Sequence, residues 1–139
     1  MRACWIGVAS AALLGASSCA SAEGPWMQPG SNCMDCHGPS AHFSWTAAGT
    51  VYPARDAPAD QGRAHVHIEI TDAQGKTLSL ESNEVGNFYT AEPLELPLRV
   101  AARVGDQTVE MPTAAPTGAC ASCHYGSPSS PGFGRIVGP

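Results

Sequence analysis

One pattern, Cys-x-x-Cys-His, occurs twice in this chain, near its two ends: Cys33-Met34-Asp35-Cys36-His37 and Cys120-Ala121-Ser122-Cys123-His124. Whatever the chain folds into must present both segments in usable form. The spacing carries specific chemistry. Two thiols three residues apart match the separation of the two vinyl groups of one haem, and the adjacent histidine can reach the iron, which is the c-type haem attachment pattern. Cys33, Cys36, Cys120 and Cys123 are therefore read as covalent attachment residues for two haems c, with His37 and His124 as the proximal iron ligands. Two other chemistries use paired cysteines: the four thiols could build one zinc site, or either pair could be a redox dithiol. Neither explains a histidine after the second cysteine in both copies, and the βαβ pattern that accompanies thioredoxin-like motifs is missing.

The remaining two of the six cysteines, Cys4 and Cys19, stand in an N-terminal leader, so the sequence leaves none for a structural disulfide. Arg2 is the leader's only charge, and the apolar run from Ala3 to Leu14 is too short to span a bilayer. Ala20-Ser21-Ala22 predicts cleavage of a signal peptide over residues 1–22, with Glu23 as the new N-terminus. Ala16-Ser17-Ser18-Cys19 resembles the lipobox of bacterial lipoproteins, in which Cys19 would be acylated and serve as a lipid anchor. Both routes predict an exported protein, in the periplasm or as an outer-membrane or cell-surface lipoprotein, with no transmembrane helix in the mature chain.

At 139 residues the chain is one domain's worth. Its 15 glycines, 12 prolines and only 14% charged residues suit short strands and turns, and 43% hydrophobic residues suffice for a core. The net charge of −5 becomes −6 when Arg2 is lost, so no basic face exists for nucleic acid. Residues 43–113 read as an all-β unit, a small antiparallel sandwich of six to seven strands, flanked by haem-binding segments over 23–42 and 114–139. The first strand spans Phe43 to Tyr52, broken near Gly49, and Pro53 to Gly62 is a loop. Val66, Ile68 and Ile70 alternate with His65, His67 and Glu69, a half-buried strand. Asp72 to Gly75 and Asn83 to Gly86 are turns around a strand carrying Leu78 and Leu80, and Asn87 to Tyr89 follows. Leu96, Leu98, Val100 and Val104 alternate with Glu95, Arg99 and Arg103. Gly105-Asp106 is a two-residue hairpin turn into Val109 and Met111. Residues 126–134 read as a draped Gly/Pro/Ser-rich tail.

Each iron needs a second axial ligand or stays five-coordinate. His42, Met27 and Met111 are the distal candidates; Met34 lies inside its own motif and is excluded. Splitting the first strand at Ala47-Ala48-Gly49 would make seven strands, put the haem segments at opposite poles and bring His65 or His67 near the second iron. Counting six strands from His37 instead puts Cys120 back at the pole where the first strand begins and makes the two haem segments neighbours. His65 and His67 then fall about 20 Å away at the far pole and are the remoter candidates. Met111, with the parity of Val109, has packing as its competing role.

The paired motifs resemble those of small dihaem c-type cytochromes, and Pro131-Gly132-Phe133-Gly134-Arg135-Ile136-Val137 resembles the tails that follow the last haem motif in such domains. Thr71 to Lys76 followed by Glu84-Val85-Gly86-Asn87-Phe88 is similar to carboxypeptidase-regulatory-like, prealbumin-like sandwich modules. That resemblance implies an accessory, non-catalytic scaffold whose second glycine makes a turn and whose next aromatic enters the core. No nucleophile motif points to an enzyme. The expected function is electron transfer outside the cytoplasm, with a redox protein bearing a basic docking patch as partner. The rivals are a five-coordinate haem module that binds a small ligand, and a cell-surface module whose four cysteines hold zinc.

Overall fold

The computed structural model describes residues 24–125 and 133–139. The signal peptide, the lipobox with Cys19 and most of the draped tail lie outside the described residues. Seven strands form: β1 (Ala47–Tyr52), β2 (His67–Thr71), β3 (Thr77–Glu81), β4 (Asn87–Thr90), β5 (Arg99–Val104), β6 (Gln107–Glu110) and β7 (Ile136–Val137). They make two sheets, ordered β4-β1-β7 and β3-β2-β5-β6. One core joins them: Ala47, Val51 and Phe88 from the first sheet meet Ile68, Ile70 and Ala102 from the second. The period-2 pattern of β2 works as expected, with Ile68 and Ile70 buried and His67 and Glu69 outward.

Turn chemistry sets the registers. Asp72 closes the β2–β3 connection, accepting from the backbone N–H groups of Gln74 (2.9 Å) and Lys76 (2.9 Å) through one carboxylate oxygen. Its other oxygen accepts from Glu95 N–H at 3.2 Å, tying this turn to the approach to β5. Asn83 does similar work before β4, accepting from Val85 and Asn87 N–H. The Gly105-Asp106 turn closes on the pair Val104↔Gln107.

Several expectations are corrected. The first strand begins at Ala47, leaving Phe43 70% exposed outside it. It also runs unbroken through Gly49, because this glycine permits close approach rather than a bend. A Cβ there would stand 2.8 Å from Phe88 Cζ and 2.9 Å from Cys120 Cβ. Leu96, expected on an inner face, is 51% exposed just before the cis Leu96–Pro97 bond, and the pairing resumes only at Leu98, bridged to Ala115. β6 is an edge strand exposed along its length, with Val109 at 47% exposure. The sheets are not wholly antiparallel, since β7 pairs with β1 in parallel through Val51↔Ile136 and Tyr52↔Val137. Ala115 and β7 thus join the sandwich from the C-terminal part of the chain.

The start of β1 is where the two motif segments converge. Trp45 N–H donates to His37 carbonyl at 2.9 Å, and Ala48 N–H donates to Gly118 carbonyl at 2.9 Å. At the other end of the strand, Arg63 N–H reaches Val51 carbonyl, so β2 with His65 and His67 begins at the far pole.

Candidate functional site

Both Cys-x-x-Cys-His segments close into the same single helical turn. In the first, a short helix over Met34–His37, the Cys33 carbonyl accepts from Cys36 N–H (3.2 Å) and His37 N–H (2.8 Å). In the second, a 3-10 turn over Cys120–Ser122, the Cys120 carbonyl accepts from Cys123 N–H (3.2 Å) and His124 N–H (2.9 Å). Positions i, i+3 and i+4 of a helical turn share one face. Two cysteines and the histidine of each motif therefore present together.

The histidines are oriented alike. His37 Nδ1 lies 2.8 Å from Phe43 carbonyl, and His124 Nδ1 lies 3.0 Å from Gly134 carbonyl. A carbonyl oxygen only accepts, so each Nδ1 carries the proton and each Nε2 keeps a lone pair for a metal. Metal-binding histidines are held by this kind of outer hydrogen bond. His37 is further clamped in a column of rings: Trp45 stacks on it at 3.6 Å and 8°, and Tyr89 stacks on Trp45 at 4.2 Å and 11°.

Each motif opens onto its own large cavity. The first, about 440 Å³, is lined by Cys33, Cys36 and His37 together with Met27, Phe43, Trp45 and Tyr89. The second, about 530 Å³, is lined by Cys120, Cys123 and His124 and by core side chains including Ile68, Ile70 and Leu98. Both volumes lie in the range of cofactor pockets. Phe88 lines both and stands between them. The donor set, the freed Nε2 atoms and the apolar walls fit a haem at each motif.

Of the distal candidates, Met27 lines the first cavity and Met111 the second. His42 is exposed, packing edge-on against Phe43, and lines neither. His65 is engaged with Glu81 at 2.7 Å and Glu84 at 3.6 Å, and His67 points outward from β2. Among the described residues, no three His, Cys, Asp or Glu side chains gather as a cation site.

The cysteines differ in state. Cys33, Cys120 and Cys123 are free thiols, while Cys36 is in a disulfide with none of these three, where the sequence left no cysteine for one. Burial raises the Cys33 thiol, and burial with the neighbouring Cys33 pushes Cys120 up to about 12. At neutral pH these two are thiols rather than thiolates.

Sequence reasoning missed Trp45 and Phe88 as site residues, and the carbonyls of Phe43 and Gly134 as histidine partners. Only Phe133-Gly134-Arg135 had a visible signal, in the tail resemblance. No protein-family profile matches this chain, and neither a curated protein nor a solved structure is significantly similar to it.

Proposed function

We propose that this chain is an exported dihaem c-type cytochrome that carries electrons outside the cytoplasm. The observation that supports it best is the doubled geometry: two matching helical turns, one α and one 3-10, each with its histidine Nδ1 bound to a carbonyl and its cysteines on an apolar cavity. Haem bound there supplies one-electron chemistry between ferric and ferrous iron. The chain's own residues do the rest. Cys33 and Cys36, and Cys120 and Cys123, would anchor the haems; His37 and His124 would offer Nε2; Ile68, Ile70, Phe88 and Leu98 would exclude water. Met27 and Met111, which line one cavity each, would be the candidates for a second iron ligand, and such a ligand would favour electron transfer over binding of a small molecule.

Attachment at Cys36 requires its thiol to be free. Cleavage of the leader does not by itself break a disulfide, so a dithiol reductant would have to supply two electrons to release the Cys36 thiol before attachment. Among the described residues, no helix is long and apolar enough to cross a membrane. The net negative charge, increased by four haem propionates, suits a redox partner with a basic patch and salt-sensitive association. Export with haem c maturation should give a protein with two haems per chain by pyridine haemochrome, reversibly reduced and reoxidised. A colourless protein holding one zinc ion overturns the proposal.

A further inference from the structure

The two cavities differ in charge. The lining of the first contains no lysine or arginine, whereas the second contains Arg55 and Arg135, with Glu110 as the opposing carboxylate. Both arginines belong to the framework around His124. Arg55 Nη1 donates to Phe133 carbonyl at 3.1 Å, and Arg135 follows Gly134, whose carbonyl holds the His124 ring. The Arg135 guanidinium lies 4.0 Å over the Tyr52 ring, and its Nε is buried without a hydrogen-bond partner. Among the described residues neither arginine forms an ion pair. Both guanidinium groups thus line the cavity without a carboxylate partner among the described residues, and a planar arginine fork matches a carboxylate.

Resting on the haem reading above, we propose that Arg55 and Arg135 form a carboxylate-binding site at the edge of the second cavity. It takes the propionates of the haem attached through Cys120 and Cys123, and this haem is thereby the higher-potential centre of the pair. The direction follows from charge. Ferrous haem carries one positive charge less than ferric, so nearby guanidinium groups favour the reduced form. The first haem, beside exposed Tyr89 and without arginine, is the lower-potential entry point, and electrons run from it to the second.

The test is a redox titration of the full dihaem chain, followed by visible absorption, for wild type, Arg55→Gln and Arg135→Gln. Two midpoints are expected, of which only the upper falls in each variant. At the wild-type upper midpoint the ferrous-to-ferric ratio should drop about tenfold, or ~59 mV for one electron. A fall confined to the lower midpoint, equal falls in both, or no change overturns the inference. Arg135→Lys covers the case in which a glutamine variant does not accumulate. It keeps the charge but loses the fork, so the propionate-bending band of one haem should shift in resonance Raman; an unchanged band counts against the site. Haem counted in the same samples keeps the two proposals apart. A chain without haem refutes the functional reading, while a dihaem chain with an unmoved upper midpoint refutes this inference alone.

Discussion

Gly118→Ala is the sharpest probe of how the second motif is seated. Gly118 does not sit at positive φ, so alanine suits its backbone and only space is at issue. The added methyl would fall onto the Thr46 carbonyl, 2.8 Å from its carbon and 2.9 Å from Ala47 Cα. Carbon atoms pack at roughly 3.5–4.0 Å, so the segment must retreat by about 1 Å. The Ala48 N–H to Gly118 carbonyl bond, now 2.9 Å, then exceeds hydrogen-bonding distance. Leaving that buried donor unmade costs about 1–3 kcal/mol, and overpacking adds about 1–3 kcal/mol. The combined loss is about 2–6 kcal/mol, large against a domain stability of roughly 5–15 kcal/mol. Urea unfolding of the mature protein, followed by tryptophan fluorescence and circular dichroism, measures it. A change below about 0.5 kcal/mol, the ordinary effect of a surface substitution, would refute the contact between the second motif and β1.

Three further outcomes follow. Asp72 is subject to an upward push from burial, but hydrogen bonds from Glu95, Lys76 and Gln74 N–H and the Lys76 charge outweigh it and hold the carboxyl below its ordinary value. Its contribution is therefore full above the unfolded-state value and lost as pH falls through the lowered one; Asp72→Asn should flatten acid unfolding in that range and lower stability at neutral pH. His65 is raised by its hydrogen bond to Glu81 and by the Glu84 and Glu81 charges, while Glu81 is lowered by the same pair. The pair should thus hold between those two shifted values, weakening as pH rises through that of His65 or falls through that of Glu81. Proton NMR should place the His65 midpoint above 6.5, and Glu81→Gln should bring it down; a midpoint unmoved by the variant would discount the pair. Met27→Ala and Met111→Ala should each abolish the sulfur-to-iron charge-transfer absorption of one haem and leave the other, and unchanged spectra would exclude both sulfurs as ligands.

The local rules in the sequence were legible wherever one residue type does one job. Ile68 and Ile70 alternating with His67 and Glu69 gave β2, and Asp72, Asn83 and Gly105-Asp106 gave the turns. The convergence of the motif segments on β1 also followed from strand parity. Errors arose where tertiary contacts override local pattern. Gly49 reads as a breaker, yet it is the slot into which Phe88 and Cys120 pack. Leu96 has core parity, but regular pairing begins only at Leu98, and Leu96 lies outside it and exposed. Ile136-Val137 is too short to announce a strand, and its partner Val51-Tyr52 lies more than eighty residues upstream. In the candidate site, the cysteines and histidines were plain from spacing. Trp45, Phe88, Arg55 and Arg135 were not, because rings and guanidinium groups have no fixed spacing from a motif and meet it only through the fold.

Covalent haem at each motif can be read by mass spectrometry of the denatured mature protein with peptide mapping. A dihaem cytochrome should give the mature chain plus two haems, one bound through Cys33 and Cys36 and the other through Cys120 and Cys123, with no disulfide left at Cys36. An unmodified chain with four free or disulfide-bonded motif cysteines would contradict it.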